Sequence, residues 1–338
     1  MGQETNIEWT DATWNPIRGC SRISQGCVNC YAEKVAARFS GPGLPYEGLV
    51  TEKGRWNGTV KTVPEKLVEP LRWTRPRMVF ANSMSDLFHE SLSNLQIAAI
   101  FGVMAAATGH TFQVLTKRAD RMAEWFKWAE EFAEEQRGIV QAPCTHEAMV
   151  RAAYTAIEKE FGEAIAKRLL APHWKQMQEV QVSDNYGSLW PLPNVWVGVS
   201  VESDDTRWRI DMLEQVPAAV KWVSAEPLIG ELNPLFSQWA IMDWIVVGGE
   251  SGPGARPCQS SWVASLAIGA NAANVPLFVK QLGAAYSDPI NGLAGVQLKV
   301  SADAPQPTRR LKHPKGGDMA EWPPEFQVRE WPKAGGAQ

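Results

Sequence analysis

Apolar and β-branched residues recur along the chain in short runs, each closing abruptly in polar residues. The runs are Arg77–Asn82 (RMVFAN), Thr111–Thr116 (TFQVLT), Val195–Val201 (VWVGVSV), Val220–Ser224 (VKWVS), Trp244–Gly248 (WIVVG) and Leu277–Lys280 (LFVK). Their length and β-branched or aromatic content predict strands. Trp14–Gly19 is a weaker candidate ahead of them. Between the runs, Leu95–Thr108, Asp120–Glu135, Thr206–Glu214 and Ser261–Ala273 carry helix-like patterns. Strand alternating with helix predicts an α/β fold with a parallel sheet and right-handed crossovers. Six or seven such units over about 280 residues predict a partial or closed (β/α) barrel. A doubly wound open sheet is the alternative, but no glycine-rich dinucleotide fingerprint follows the first strand.

The polar run ends form a second pattern. They are Asn82, Ser83, Ser85 and Asp86; Thr116, Lys117 and Arg118; Ser200 and Glu202; Ser224 and Glu226; Glu250 and Ser251; Lys280 and Gln281. Glu202, Glu226 and Glu250 are spaced by 24 and 24 residues, one β/α unit each. In a barrel these residues gather at the carboxyl ends of the strands, where active sites sit. One such residue would be ordinary solvation of a strand end; six strands in succession point to a site. The barrel is expected over residues 1–286. It is interrupted at 119–193 by a stretch of about 75 residues where one helix and its loops need roughly 20–25. That stretch is rich in Ala, Glu and Lys and reads as a helical insertion, a lid or a surface for a protein partner. Residues 287–338, rich in Pro and Gly, read as a loop-rich extension.

Composition narrows the function classes. Among 338 residues, 33 basic and 37 acidic side chains leave a net charge of -4, so there is no broad basic field for gripping duplex nucleic acid. Local basic groups remain at Arg72, Arg75 and Arg77 beside Trp73, and at Arg309, Arg310, Lys312 and Lys315; solvated surface is the plainer reading of most of them. No run of about 18 apolar residues occurs, so no membrane span is expected. The opening MGQETNIEWTDATWNP lacks the basic and apolar regions of a signal peptide, and the expected compartment is the cytoplasm.

The 5 cysteines change the picture most. An odd count in a cytosolic chain argues against a disulfide framework. Cys20, Cys27 and Cys30 fall within eleven residues as C-x6-C-x2-C, directly after the first candidate strand and before a helix beginning near Tyr31. Three thiolates on one loop can hold three irons of a [4Fe–4S] cluster with the fourth iron open, or serve as three ligands of a zinc site. Spacing alone fits either. No second C-x2-C accompanies the first, and the five His are scattered, so ligand count and position favour the cluster. Gly19, Gly26 and Asn29 mark a loop rather than a buried strand.

A three-cysteine loop after the first strand of a (β/α) barrel resembles the radical S-adenosylmethionine (SAM) superfamily. The closer resemblance is to its atypical, phage-associated three-cysteine-motif branch. It is carried by Ile7–Pro16 (IEWTDATWNP), the cysteine loop through Glu33, Met84–Phe88 (MSDLF), Leu115–Arg118 (LTKR), Trp196–Glu202 (WVGVSVE), Ser224–Pro227 (SAEP), Gly248–Gly252 (GGESG), Phe278–Gln281 (FVKQ) and Glu321–Pro323 (EWP). The chain departs from the usual C-x3-C-x2-C, and Tyr31 follows the third cysteine where the superfamily sets an aromatic just before it.

The resemblance implies a [4Fe–4S] cluster on Cys20, Cys27 and Cys30, with SAM on its open iron. One-electron reduction then cleaves SAM to methionine and a 5′-deoxyadenosyl radical, which abstracts hydrogen from substrate. A reductant such as flavodoxin or ferredoxin would supply the electron. The phage association implies a nucleobase, nucleotide or nucleic-acid substrate. By strand position, Tyr31, Ser83, Ser85, Asp86, Lys117, Ser200 and Glu202 are the expected cofactor-binding residues. Glu226, Glu250 and Lys280 are expected to grip substrate or exchange protons. Two other classes stay open: a non-enzymatic protein holding structural zinc or an electron-transfer cluster, and a barrel hydrolase or lyase working through its strand-end carboxylates.

Overall fold

The computed structural model describes residues 3–137, 145–171, 190–287, 308–309 and 311–332. Cys144 and parts of the insertion and the C-terminal extension lie outside them. One eight-stranded sheet runs β1 (Gln3–Glu4), β2 (Ala12–Trp14), β3 (Met78–Ala81), β4 (Thr111–Thr116), β5 (Val195–Ser200), β6 (Val220–Ala225), β7 (Trp244–Gly248) and β8 (Leu277–Gln281), adjacent in chain order. Only β1 is antiparallel; the remaining seven are parallel, the arrangement of a partial (β/α) barrel. Among the described residues the strand order is linear, from β1 to β8. All six stronger runs became strands within a residue or two. The weak Trp14–Gly19 run split, Ile17–Arg18 pairing instead with Lys61–Thr62.

Besides a single helical turn at Pro64–Leu67, the helices are α1 (Tyr31–Arg38), α2 (Asn94–Ala106), α3 (Ala119–Arg137), α4 (Thr145–Phe161), α5 (Trp208–Glu214), α6 (Phe236–Ala240) and α7 (Ser260–Ala273). Residues 163–171 are also helical. The chain divides into two compact units. The first holds Met1–Ile23, Ala32–Gly198 and Gln215–Ala219; the second holds Ser24–Tyr31, Val199–Glu214 and Val220–Gln338.

In the first unit a capping box starts α2: Ser93 accepts from the backbone N–H of Gln96, whose side chain accepts from the N–H of Ser93. Nine of the thirteen residues of α2 are buried, and its densest packing is against α4 of the insertion. Gly102 makes that approach feasible, since a Cβ there would stand 2.0 Å from the Met149 carbonyl oxygen. Stacked Phe101 and Trp125 close the same core, with ring centroids 4.4 Å apart.

In the second unit, Trp222 and Trp244 lie side by side on β6 and β7 and are fully buried. The C-terminal extension runs along the last strand. Val279 donates its N–H to the Val328 carbonyl, Glu330 donates to Leu277, and Trp244 Nε1 donates to the Glu330 carbonyl. This covers the free edge of β8, which would otherwise offer unpaired backbone groups to another chain. Among the described residues no helix is long and apolar enough to cross a membrane.

Candidate functional site

The loop after β2 starts at Gly19, whose φ of +96° and close approach to the Thr59 carbonyl (2.1 Å from a would-be Cβ) exclude a side chain. Gly19 also forms a parallel bridge with Ser85. Cys20, Cys27 and Cys30 are half-buried and none is in a disulfide. Among the described residues, no three His, Cys, Asp or Glu side chains are grouped as a metal site. A shared ligand set therefore rests on the sequence spacing and on the chemistry of the donors.

In the first unit, the surroundings of Cys20 are organised by Arg118, at the end of β4. Its Nη1 lies 3.8 Å from Cys20 Sγ and 3.1 Å from Asp86 Oδ2, its Nε donates to Glu90 Oε2 at 2.8 Å, and its Nη2 donates to Ser21 Oγ at 2.6 Å. Burial opposes the charge, but Asp86, Cys20 and Glu90 together raise the Arg118 pKa above its ordinary value, so the guanidinium stays charged. Burial likewise opposes ionisation of Glu90, yet its hydrogen bonds and Arg118 carry its carboxyl down to about 2.

Ser21 Oγ also meets His89 Nε2 at 3.1 Å, which looks like a nucleophile beside its base. The tautomer argues otherwise. His89 Nδ1 accepts the Ser91 backbone N–H, so in the neutral ring the proton sits on Nε2 and points at Ser21. Burial and then Arg118 lower the His89 pKa, which favours that neutral ring.

The predicted residues after β3 are engaged within the fold. Ser83 exchanges hydrogen bonds with Asn15, and Ser85 donates to the Ile17 carbonyl. Asp86 accepts from Thr116 Oγ1, the Phe88 and Lys117 backbone N–H groups, and Arg118. Lys117 is half-buried, and Tyr31, the first residue of α1, is half-exposed. Asn82 was read as a polar strand end but not among the expected cofactor-binding residues. It sits at φ 62°, is 3% exposed, and neither end of its amide has a hydrogen-bond partner. A buried amide without partners is costly and needs an explanation. A non-glycine residue in left-handed backbone is likewise uncommon and is concentrated at functional positions.

In the second unit, Ser24 Oγ donates to Glu202 Oε1 at 2.8 Å. Glu202 Oε2 accepts from Arg209 Nη1 at 2.9 Å, and the same nitrogen donates to the Ser200 carbonyl. The Arg209–Glu202 pair is almost fully buried. Glu250 is bound by Arg256 through side chain and backbone, and by Asn29 Nδ2 at 2.8 Å. Burial opposes the Glu250 charge, but Arg256 and Asn29 hold its carboxyl below the usual range. Lys280 Nζ lies 2.7 Å from Glu226 Oε1, and both side chains keep some exposure. Gly248 between them in the sheet leaves room, a Cβ there standing 3.1 Å from the Glu226 carboxyl. Cys258 is buried, and burial pushes its thiol up to about 12.

Arg118, Arg209 and Arg256 were missed as partners by sequence reasoning. Arg209 and Arg256 follow their acids by seven and six residues, whereas Arg118 lies 32 residues after Asp86, and in neither case does spacing give a direction to a long side chain.

The family described as "Protein of unknown function (DUF5131)" matches this chain over residues 4–321. The chain belongs to that family. No curated protein and no solved structure matches it.

Proposed function

For this member of the DUF5131 family we propose a radical SAM enzyme, in which Cys20, Cys27 and Cys30 hold a [4Fe–4S] cluster. The observation that carries the reading is the set of three half-buried thiols, none in a disulfide, within eleven residues on the loop after the first parallel strand of a partial barrel. Thiolates are the ligands such clusters take, and three of them leave one iron open. When bound, the cluster and SAM supply a one-electron cleavage that yields a 5′-deoxyadenosyl radical for hydrogen abstraction.

The chain's own residues have separable tasks. Arg118 sets a positive charge beside Cys20, which favours the thiolate form. Asn82 holds an unsatisfied amide donor and acceptor at the end of β3, and we assign it to the polar part of the cofactor. Glu226 and Lys280 are the strand-end acid and base still partly open to solvent, and they grip substrate or exchange a proton with it. The buried Trp222 and Trp244 pack that part of the sheet and exclude water. The substrate class is a nucleobase, nucleotide or nucleic acid, the electron comes from a flavodoxin- or ferredoxin-type reductant, and the compartment is the cytoplasm.

The hydrolase reading loses ground on one observation. Glu202 and Glu250 are tied to guanidinium groups, and the Glu250 carboxyl is held ionised, so neither is poised as a general acid.

Anaerobic reconstitution with iron and sulfide tests the ligand set. The expected product is a brown protein with about four irons per chain, lost in the Cys20, Cys27 and Cys30 to Ala triple variant. Stoichiometric zinc with no iron would establish the structural-zinc reading instead.

A further inference from the structure

The second unit contains four hydrogen bonds that all end on one short segment. Ser24 Oγ donates to Glu202 Oε1 at 2.8 Å, Arg256 Nη2 donates to the Gln25 carbonyl at 3.0 Å, and Asn29 Nδ2 donates to Glu250 Oε2 at 2.8 Å and to the Gly254 carbonyl at 2.9 Å. Between those anchors lies the turn Gln25–Cys27, closed by Cys27 N–H to the Ser24 carbonyl and Val28 N–H to the Gln25 carbonyl. Gly26 packs directly on the Glu202 carboxylate, and a Cβ there would fall 2.3 Å from Oε1. Each acid is itself fixed from behind, Glu202 by Arg209 and Glu250 by Arg256.

We propose that Glu202 and Glu250 are positioning residues that clamp the Cys27–Cys30 segment to the ends of β5 and β7, and do not bind cofactor or substrate themselves. Both oxygens of each carboxylate have partners within the chain. Both acids are buried, at 2% and 4% exposure, which leaves no free face for a ligand. The two sit one β/α unit either side of Glu226, the strand-end acid that keeps exposure. The three evenly spaced glutamates thus divide by role: the outer two hold the thiol segment, and the middle one faces the chemistry. The assignment to a thiol-holding clamp deepens the cluster reading, while its geometry stands without any metal.

The test uses the metal-free full chain and the rate at which iodoacetamide alkylates each cysteine, followed by peptide mass spectrometry. Glu202→Gln and Glu250→Gln remove the carboxylates. Ser24→Ala and Asn29→Ala remove only the loop's side of each contact, and remain informative if the buried acids prove essential to folding. Release of the clamp should raise alkylation of Cys27 and Cys30 by roughly tenfold, as expected when a held segment opens locally. Cys20, held separately by Arg118, serves as the internal control and should keep its rate, and in the loop-side variants Ser24→Ala and Asn29→Ala the melting temperature should stay unchanged. Unchanged rates at Cys27 and Cys30 in both loop-side variants would overturn the clamp, as would an equal rise at Cys20. Iron content after reconstitution, measured on the same variants, should fall below wild type. A wild-type chain that takes up no iron would refute the cluster reading, and the alkylation rates would still decide the clamp.

Discussion

Arg118, Arg209 and Arg256 each place a planar, permanently charged donor against a strand-end acid. Breaking a buried pair such as Arg209–Glu202 from one side leaves an uncompensated charge and costs about 3–5 kcal/mol. Two titratable residues away from the cysteine loop give sharper residue-scale predictions. The Cys258 thiol, fully buried and raised to about 12, should resist alkylation at pH 8 while Cys20, Cys27 and Cys30 react; comparable reaction of Cys258 in the native protein would contradict its burial. His110 has its pKa lowered, chiefly by burial. The unfolded chain therefore binds the His110 proton more readily, and the stability this residue contributes is complete above about pH 6.5 and lost as pH falls through the lower folded value. Denaturation of His110→Gln as a function of pH should show a flatter loss of stability below about 6.5 than wild type. The acids of the strand ends were legible as a pattern, because each closes an apolar run. Their partners were not, because hydrogen-bond direction is set by backbone trajectory. The same limit applies to Asn82, legible as a strand end but not as a left-handed residue with an unmet amide.

At the scale of elements, apolar periodicity was enough to locate the six stronger strands and the helices Asn94–Ala106, Ala119–Arg137, Trp208–Glu214 and Ser260–Ala273, because burial acts on whole faces. It missed Gln3–Glu4, too short to carry a pattern. It also missed the alignment of the C-terminal extension along β8, which is made by backbone hydrogen bonds and one tryptophan N–H. Within the insertion, α4 packs against α2, with Gly102 of α2 in near contact with the Met149 carbonyl. Gly102→Ala should therefore destabilise by about 1–3 kcal/mol through overpacking, despite alanine's higher helix propensity. A melting temperature equal to or above wild type would contradict the close approach of the two helices at Gly102.

For the whole molecule, the proposed chemistry rests on the parallel strand order, the three clustered thiols and the orphaned Asn82 amide, and the fold alone does not choose it. Fold class was legible from alternation of strand and helix; the cofactor is a proposal, drawn from three clustered cysteines and, for SAM, from a resemblance. The most direct test of the central claim is chemical. Protein reconstituted anaerobically and reduced with dithionite is incubated with SAM, and the mixture is analysed by liquid chromatography and mass spectrometry. The account predicts 5′-deoxyadenosine and methionine, formed by wild type and absent from the Cys20, Cys27 and Cys30 to Ala variant. Intact SAM, with and without added nucleotides or nucleic acid, from protein carrying its full complement of iron would contradict it.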